Sequence, residues 1–578
     1  MNEKIDSGDL PLLSVNNLVI SFAHEDGIKR VIDQVNFELY KGEILGIVGE
    51  SGSGKTLSCL AIMQLLPPGA IIASGQILFR DDTITDLLQS SEEKLQTIRG
   101  NRISMVFQEP MSALNPSHRC GKQVAEIISL HHPEKSTAQI KAEVLALFQK
   151  VKLPDVERIY KSYIHQLSGG QLQRVMIAMA IANKPAVIIA DEPTTALDVT
   201  VQESILDLLL ALKDDFNCSI IFISHDLGVI KKIANRIVVM QKGIVVEEGL
   251  TKNVFENAQH LYTKALIACR PPLDYRLSRL PIVQDFINVP ESEHAQITQH
   301  LKVSDETFHA RLTSLQKADV LLDVQNLSKY YPAQKSFWGK ALSYTKAVDE
   351  VSFTMKKGET LGLVGESGCG KSTLGRAILR LITPTAGKVI FEEKDVFAFS
   401  NSEMRKMRKH MQIIFQDPYS SLNPRMKIGE AIKEPMIIHN MYESNEVRTE
   451  KVMALLDVVG LSRDHYNRYP HQFSGGQRQR INIARTLSLN PKFIVCDESV
   501  SALDVSVQAQ VLNLLMDLKA QFDLTYLFIS HDISVVKHIS DNIMVMEKGK
   551  IVEKGNSEEV YHHPQNQYTR RLIDAVPK

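Results

Sequence analysis

Short apolar runs of the kind that form buried strands recur along this chain, separated by stretches with helical spacing. Ile44–Val48 and Ala186–Ala190 are almost continuously apolar, which is typical of central strands in a parallel sheet covered on both faces. Leu13–Phe22 and Val31–Leu39 alternate apolar and polar residues, like strands of an antiparallel sheet. Val124–Lys150 carries apolar residues at helical spacing. The pattern predicts an α/β fold with a parallel core and an antiparallel layer.

The same order of elements occurs twice in the chain. The motif Ser-Gly-Gly-Gln stands at 168 and 474, Asp-Glu at 191 and 497, and Ile-Ser-His-Asp places His at 225 and 531, each pair 306 positions apart. A constant register over so long a stretch indicates two homologous domains. We predict a tail over 1–12, a first domain over 13–269, a linker over 270–320 and a second domain over 321–578.

Two segments carry no recognisable chemistry. Arg270–Leu321 opens with Pro271-Pro272 and has mixed charges with some helical periodicity, so we expect a tether. Pro332–Tyr344 is an insertion in the second half that contains the only tryptophan, Trp338. We expect this insertion to be an exposed loop.

Composition limits the classes of protein to consider. The 578 residues carry a net charge of −1, and 44% are hydrophobic and 23% charged, as in ordinary soluble globular proteins. The balance gives no overall basic field for nucleic acid. Six scattered cysteines without a Cys-x-x-Cys pair suggest neither a disulfide framework nor a zinc site. No apolar run approaches the roughly 20 residues of a spanning helix, so any membrane role is expected to depend on partners.

A glycine-rich segment follows the first buried strand and recurs after Leu361–Val364. Both copies fit the phosphate-loop pattern of two glycines with four residues between them, then Lys and a hydroxyl residue. The copies consist of Gly49, Glu50, Ser51, Gly52, Ser53, Gly54, Lys55 and Thr56, and of Gly365, Glu366, Ser367, Gly368, Cys369, Gly370, Lys371 and Ser372. Glycines allow the sharp bend that aims backbone N–H groups at an anion, and the following helix N-terminus adds partial positive charge. We expect ATP to bind here, with the lysine on the outer phosphates and the hydroxyl on Mg²⁺.

A carboxylate pair ends the apolar strand after each phosphate loop. Asp191 and Asp497 are expected to hold Mg²⁺ through its water shell, and Glu192 and Glu498 to polarise the attacking water as general bases. A solvated strand end is the alternative for a lone Asp-Glu pair. It becomes a poor explanation where a phosphate loop precedes the same strand.

Two further polar residues recur at matched places. Gln108 and Gln416 follow short apolar runs, where an amide could ligate Mg²⁺ or sense the γ-phosphate, although an isolated Gln is usually a surface residue. His225 and His531 follow later strands, where a neutral imidazole could hydrogen-bond the γ-phosphate. A lone histidine is more often structural, so these roles depend on the resemblance that follows.

The Ser-Gly-Gly-Gln motif precedes a helical pattern in each half. Its two copies comprise Ser168, Gly169, Gly170 and Gln171, and Ser474, Gly475, Gly476 and Gln477. By themselves they are glycine-rich helix starts that suit anions. Together with the two phosphate loops they resemble the signature sequence of ATP-binding-cassette (ABC) ATPases, over nearly all of both halves. The resemblance implies two tandem P-loop NTPase domains of the α/β class. Each would have a RecA-like mixed-sheet core, an antiparallel β subdomain and a helical subdomain that carries the signature.

In that family two cassettes pack head to tail, so the resemblance implies two composite ATP sites. Lys55 would share a site with the signature at 474–477, and Lys371 with the signature at 168–171. Asp198 and Asp504, each in Ala-Leu-Asp, match the loop through which two cassettes touch. Because neither half lacks a motif, we expect both sites to hydrolyse ATP.

The family also places an aromatic ring against adenine near the end of the first strand. Phe22 and Tyr331 occupy that place, with Tyr330 an equal candidate in the second half. Core packing is the alternative for Phe22.

Segments 107–116 and 415–424 look like those of dipeptide, oligopeptide and nickel importers. The resemblance implies an ATP-hydrolysing subunit, peripheral on the cytoplasmic face of the inner membrane. Its partners would be two separate permease subunits, with an extracytoplasmic solute-binding protein in the complex and no nucleic acid. Related first-type subunits often carry a cysteine cluster after the cassette. Only Cys269 is present here, and we expect no iron–sulfur cluster.

The main alternative is a soluble tandem ABC ATPase that acts on ribosomes or another cytosolic machine. Such proteins generally have a long charged linker and a signature that ends in Glu, whereas both signatures here end in Gln. A DNA-repair ATPase would bring zinc-binding cysteine pairs. The sequence leaves the cargo open among dipeptide, longer peptide, glutathione, peptide antibiotic and nickel.

Overall fold

The computed structural model describes residues 10–24, 27–195, 198–290, 293–335, 341–501 and 503–576. Most of the predicted tail (1–9) and Trp338 in the insertion lie outside these ranges. By their contacts, the described residues of Met1–Leu197 and Val201–Ile267 form a first unit, and Asp198–Thr200 with Ala268–Val576 form a second.

The first unit contains two sheets. A four-stranded antiparallel sheet has the order β2-β1-β4-β5, and a six-stranded sheet has the order β10-β9-β3-β8-β7-β6, parallel except for the pair β9–β10. The strands are β1 Leu13–His24, β2 Gly27–Leu39, β3 Ile44–Val48, β4 Ala70–Arg80, β5 Ile84–Asp86, β6 Ile103–Val106, β7 Val187–Asp191, β8 Ser219–Ile223, β9 Arg236–Gln241 and β10 Ile244–Leu250. Every residue of β3, β7 and β8 is buried, because helices or the small sheet cover both faces.

Helices fill the connections of the first unit. They are α1 Lys55–Ile62, α2 Glu92–Ile98, α3 Pro110–Ala113, α4 Cys120–His131, α5 Thr137–Lys150, α6 Val156–Lys161, α7 Gly169–Ile181, α8 Val199–Phe216, α9 Leu227–Ile233, α10 Thr251–Asn257 and α11 Leu261–Ala268. The predicted helical stretch over 124–150 is therefore two helices, α4 and α5. One hydrophobic core joins the small sheet to β3 and α1 through residues such as Val15, Leu45 and Ile62.

The second unit repeats both sheets. Their orders are β12-β11-β14-β15 and β16-β17-β18-β13-β19-β20, with the same parallel core and antiparallel edge. The strands are β11 Val320–Lys335, β12 Ala341–Lys356, β13 Thr360–Val364, β14 Ala386–Phe391, β15 Lys394–Asp395, β16 Met411–Ile414, β17 Phe493–Asp497, β18 Thr525–Ser530, β19 Asn542–Glu547 and β20 Lys550–Asn556. The predicted duplication of the fold is confirmed.

The second unit has twelve named helices among its described residues. They are α12 Val283–Ile287, α13 His294–His300, α14 Asp305–Lys317, α15 Lys371–Ile378, α16 Asn401–Met407, α17 Ile428–Ile438, α18 Asn445–Val458, α19 Gly475–Leu487, α20 Val505–Phe522, α21 Ile533–Ile539, α22 Ser557–His562 and α23 Gln567–Asp574. None of the helices in the described ranges of the chain is long and apolar enough to cross a bilayer.

The stretch expected to be a tether is folded onto the second unit. We call residues 270–317 the strap; it contains α12, α13 and α14. Its Leu277 and Leu280 are buried in the same hydrophobic core as Leu512 of α20. The backbone N–H and C=O of Leu280 both pair with the side-chain amide of Asn513, each at 2.8 Å. A tether would leave such groups in solvent, so the strap is part of the packed structure.

Charged residues of the strap are held by the same unit. Arg311 reaches Asp541 with both Nε (2.7 Å) and a terminal nitrogen (3.1 Å). Arg276 donates to the backbone carbonyls of Lys537 (2.8 Å) and Ser540 (2.9 Å), at the end of α21. Bidentate and multidentate guanidinium contacts fix geometry.

The insertion expected as an exposed loop instead lengthens a hairpin. β11 and β12 remain paired through Pro332 with Tyr344 and as far as Lys335 with Ala341. The expectation of a loop was wrong over these positions, because strand pairing continues past Pro332 with register shifts on both sides of it.

Candidate functional site

The first phosphate loop joins β3 to α1, and its glycines are sterically required. Gly49, Gly52 and Gly54 have φ values of 152°, 80° and 101°. A Cβ added to Gly49 would lie 2.2 Å from the Met240 carbonyl oxygen, and one on Gly54 would lie 2.2 Å from Cδ1 of Ile32. A Cβ on Gly52 would meet nothing within 4 Å. The loop is therefore packed below and open above, as a phosphate cradle needs to be.

Lys55 and Thr56 begin α1 at the end of this loop. Lys55 Nζ donates to the carbonyl oxygens of Gly49 (2.8 Å) and Glu50 (3.0 Å), so its charge lies inside the loop. Thr56 Oγ1 donates to Asp191 Oδ1 at 3.0 Å. Burial raises the pKa of Asp191 to about 6, against the opposing effect of Thr56. The structure brings the predicted phosphate and metal residues together.

Glu192 gathers three side chains around one carboxylate oxygen. Its Oε2 accepts from Gln108 Nε2 (2.9 Å) and Thr195 Oγ1 (2.9 Å) and lies 3.1 Å from His225 Nδ1. Burial would raise the pKa of Glu192, but the hydrogen bond and charge of His225 outweigh it and lower the pKa to about 2. The same contact raises the pKa of His225 against the effect of burial. Glu192 is therefore a fixed, ionised acceptor.

Thr195 is the member of this group that the sequence analysis missed. The only signal was its position three residues after Glu192, with a hydroxyl residue, Ser501, at the matching place in the second half. Ser501 Oγ donates to the Glu498 backbone carbonyl (2.9 Å), not to its carboxylate. The two sites therefore differ at this position.

The second phosphate loop repeats the first. Gly365, Gly368 and Gly370 have positive φ, and Lys371 Nζ donates to the carbonyl oxygens of Gly365 (2.7 Å) and Glu366 (2.9 Å). Ser372 Oγ donates to Asp497 Oδ1 at 2.6 Å. Burial raises the pKa of Asp497.

Glu498 has fewer partners than Glu192. Gln416 Nε2 donates to its Oε2 at 2.8 Å, whereas His531 Nδ1 is 3.6 Å away, beyond a hydrogen bond. Lys371 Nζ is 3.8 Å from its other oxygen. Burial would raise the pKa of Glu498, but nearby His531 and Lys371 outweigh it and lower the pKa.

Each signature forms the start of a helix at the surface of its own unit. Ser168 accepts from the N–H of Gln171 while the Gln171 side chain accepts from the N–H of Ser168, a capping box for α7. Ser474 and Gln477 do the same for α19. Ser168 and Gly169 are exposed, and so are Ser474 and Gly475. The caps leave the glycine N–H groups of the first turn for another acceptor.

The remaining predicted residues divide by their partners. Phe22 is half-buried against the core of the first unit, so both of its predicted roles stay open. Tyr330 donates its hydroxyl to Asp349 at 2.6 Å, while Tyr331 is 40% exposed, which makes Tyr331 the more available ring. Asp504 caps α20 by accepting from the Val507 N–H (3.1 Å), and Asp198 accepts from Thr200 Oγ1 (2.8 Å).

The donor set fits a hydrated cation beside a nucleotide. Asp497 Oδ2 is buried without a hydrogen-bond partner among the described residues, next to the Ser372 hydroxyl. No group of three or more His, Cys, Asp or Glu that could hold a metal occurs in the described part of the chain. A cation at this site would therefore need oxygens from water or the nucleotide, as Mg²⁺ does at phosphate-loop sites.

Two family models each match segments in both halves of the chain. The family model "ABC transporter" matches residues 32–195 and 348–501. The model "Oligopeptide/dipeptide transporter, C-terminal region" matches residues 246–294 and 552–578. A solved ATP-binding cassette in a dimeric post-hydrolysis state with ADP and phosphate is 28% identical, with a TM-score of 0.38, over 41% of this chain and 99% of that chain.

Curated relatives match along the whole chain. The glutathione import ATP-binding protein GsiA of Escherichia coli O6:H1 is 43% identical over 100% of this chain and 91% of the relative. Its namesake in Shigella boydii serotype 4 gives the same values. The protein of that name from Pectobacterium atrosepticum is 42% identical over 98% of this chain and 89% of the relative.

These matches confirm the resemblance, the α/β fold of two tandem cassettes, and the assignment as a transport ATPase. Head-to-tail pairing and the roles of single residues stay predictions. The chain therefore belongs to the ABC transporter ATPases, as a tandem ATP-binding protein of the dipeptide, oligopeptide and nickel importer type.

Proposed function

We propose that this chain powers an importer through two composite ATP sites, each made from the phosphate loop of one unit and the signature of the other. The helix starts support the proposal: Ser168, Gly169, Ser474 and Gly475 are exposed, and the N–H groups there suit a γ-phosphate that the phosphate loop alone does not surround. ATP would then join the units, and hydrolysis would release them.

The residues of each site have separate tasks. Lys55 and Lys371 bind the outer phosphates from inside their loops. Thr56 with Asp191, and Ser372 with Asp497, would hold Mg²⁺, which neutralises phosphate charge when bound.

A water aligned with the γ-phosphate loses its proton toward Glu192 in one site and Glu498 in the other. Gln108 and His225 orient the Glu192 carboxylate, as Gln416 orients Glu498. A carboxylate with a low pKa is a weak base, so Glu192 contributes more by orienting the attacking water than by its affinity for the proton.

The partners and cargo follow from the relatives. Importer ATP-binding proteins work with membrane permeases, and we propose two permease subunits, an extracytoplasmic solute-binding protein and a peripheral position at the inner membrane. The cleft lined by Ile413, Phe415 and Pro435, next to Gln416, is the proposed docking place for one permease. Relatives named for glutathione import suggest a peptide or a glutathione-like thiol peptide as cargo.

The observation that carries the proposal is the Glu192 carboxylate held by Gln108, Thr195 and His225 beside a phosphate loop. Glu192→Gln with Glu498→Gln should bind ATP normally and lower turnover at least 100-fold, because the charge that orients the water is lost. Glu93→Gln on α2 is the matched control and should leave turnover unchanged. Turnover of the double variant at the wild-type rate would refute the assignment.

Composite sites are tested on a chain with one working lysine. Lys371→Ala leaves only the Lys55 site, and Ser474→Arg or Ser168→Arg is then added. Head-to-tail pairing predicts that Ser474→Arg abolishes the remaining hydrolysis and that Ser168→Arg reduces it far less. The reverse order would show that each unit uses its own signature.

A further inference from the structure

A strongly basic face lies on the second unit, beside the cleft proposed for the permease. Arg405 and Lys406 on α16 and His439 after α17 line an open cleft of about 620 Å³. Lys409 and His410 follow on the same chain segment. We call these five residues the basic face.

The cations of this face form no close ion pairs within the described parts of the chain. Arg405, Lys406 and Lys409 form no ion pair with any residue in the described ranges. Of the nearby carboxylates, Glu434 pairs with Arg485 (3.3 Å). Glu403 accepts from the Ser400 N–H (2.8 Å), and its pKa is lowered by the hydrogen bonds from Ser400 and by the charge of Lys406, so it offsets part of one charge. Like charges gathered on one surface repel one another and create a positive potential that an anionic partner would relieve.

The pKa values of the two histidines are affected by the same positive charges. Partial burial lowers the pKa of His439, and the charges of Arg405 and Lys409 lower it further. Partial burial also lowers the pKa of His410, with added effects from Lys492 and Lys409. The groups therefore act on one another across the two helices.

The fold does not require the three cations of this face, because the first unit lacks them, although Arg102 and His131 stand where the second unit has His410 and His439. Counted from the matching N-cap serines, Ser91 and Ser400, Arg405 and Lys406 correspond to Gln96 and Thr97. Counted back from β6 and β16, Lys409 corresponds to Asn101. The cluster of Arg405, Lys406 and Lys409 therefore occurs in one unit only.

Apolar side chains border the charges. Ile437 and Ile438 at the end of α17 are 44% and 47% exposed. Pro435, one turn earlier on α17, lines the cleft with Ile413 and Phe415 that we assign to the permease. Basic residues beside exposed aliphatic ones are typical of surfaces that contact the headgroup region of a bilayer. Where the permease docks, the bilayer is the nearest extended anionic surface.

We propose that the basic face of the second unit binds anionic phospholipid headgroups directly, alongside the permease contact. The proposal uses the orientation given by the proposed function. Each Lys or Arg at an anionic membrane surface contributes a factor of about 5 in affinity. Loss of three such charges should weaken membrane binding by roughly 100-fold, and by less where side chains reach the surface imperfectly.

The test uses the purified full chain without permease or nucleotide. Sedimentation is measured with vesicles of phosphatidylcholine containing 30% phosphatidylglycerol (about the level that gives a strong surface potential) and with pure phosphatidylcholine. Arg405→Gln, Lys406→Gln and Lys409→Gln are combined in one variant. Lys388→Gln, Lys394→Gln and Lys554→Gln, which remove three exposed lysines elsewhere, form the control.

We expect the wild type and the control to bind the anionic vesicles and the basic-face variant to bind at least tenfold more weakly. Binding should also fall steeply between 50 and 500 mM salt (a range over which the screening length drops from above to well below 10 Å).

Equal binding by the two variants, or binding independent of phosphatidylglycerol, would overturn the proposal. So would a variant that binds vesicles like the wild type yet fails to assemble with permease in detergent, because that result assigns the face to a protein. Vesicle binding does not involve Glu192 or Glu498, so its failure leaves the hydrolysis assignment intact.

Discussion

The strap gives the sharpest quantitative test, through Arg276. Its guanidinium donates to the carbonyl oxygens of Lys537 and Ser540 at the end of α21, lies 3.4 Å from Glu558, and stacks 4.1 Å from the Phe308 ring centre. The side chain is only 13% exposed. Arg276→Met keeps the apolar stem and removes every one of these polar contacts.

The expected loss follows from burial and hydrogen bonding. A hydrogen bond to a charged group is worth about 1.5–3 kcal/mol, and removing one member of a buried ionic network costs about 3–5 kcal/mol. Because 13% exposure lets water reach part of the gap, we expect Arg276→Met to lower the unfolding free energy of the second unit by about 3 kcal/mol. Arg279→Met is the matched control, since Arg279 is 42% exposed and its one ion pair within the described ranges is with Asp285. Its cost should be below about 1 kcal/mol.

Hydrogen exchange measured peptide by peptide on the full chain is the suitable assay, because two units need not unfold in one step. Peptides that cover α21 and α22 should exchange roughly 100-fold faster in Arg276→Met, since 1.4 kcal/mol corresponds to a factor of ten. Peptides of the first unit should be unchanged. If Arg276→Met altered exchange no more than Arg279→Met, the polar contacts of Arg276 would not stabilise the second unit and the reasoning would be refuted.

Three further results are expected. Burial and the charge of Arg276 lower the pKa of His538 from 6.5 to about 3, so the second unit should lose stability as pH falls from 6.5 toward 3; His538→Met should remove part of that slope in pH-dependent unfolding curves. Gly476→Ala should cost about 1–3 kcal/mol of unfolding free energy, because its Cβ would lie 2.2 Å from Val507 Cγ1, whereas Gly475→Ala, with 3.7 Å of room, should leave stability unchanged in the same assay. Asn513→Asp should lower the melting temperature of the second unit, since it removes the donor to the strap carbonyl and adds a charge.

Most of the geometry of the candidate sites could be predicted from the sequence, because the motifs that form them are local and repeated. The phosphate loops, Asp191 and Asp497 lie at strand ends that apolar runs mark out, and the second copy removes chance as an explanation. The hydrogen bonds around Glu192 join residues 84 and 33 positions apart. Periodicity along the chain cannot show that residues so far apart in sequence are in contact. Gln108 and His225 were therefore predicted only through family resemblance, and Thr195 was missed.

The strap could not be predicted for a different reason. Its opening prolines and mixed charges are typical of a tether, and its helices have few buried positions. The groups that bind Arg276 are backbone carbonyls more than 260 positions away, and a carbonyl has no sequence signal. The prediction for the insertion was wrong for a similar reason. Pro332 suggests a break in the strand, but the pairing of β11 with β12 continues past it.

Matched positions in the two units show where the strap belongs. Asn235 in the first unit accepts from the Ile44 N–H at 2.8 Å, and Asp541 in the second accepts from the Thr360 N–H at 2.8 Å, so both side chains hold the start of a buried strand. Asp541 also accepts hydrogen bonds from Nε and one terminal nitrogen of Arg311. An amide at this position could not pair with a guanidinium as strongly, because it carries no charge.

A second matched pair points the same way. Asn513, whose amide clasps the strap backbone, corresponds to Asp207 in the first unit. An aspartate there could accept but not donate, and its charge would oppose a carbonyl. The second unit therefore has a carboxylate, Asp541, where the first has an amide, and an amide, Asn513, where the first has a carboxylate. Both residues of the second unit contact the strap. A chain divided into two single cassettes should for this reason be cut before residue 268, not after 320: the earlier cut keeps Arg311 on Asp541, and the later one leaves this buried carboxylate with Lys519 (3.0 Å) as its only ion-pair partner among the described residues.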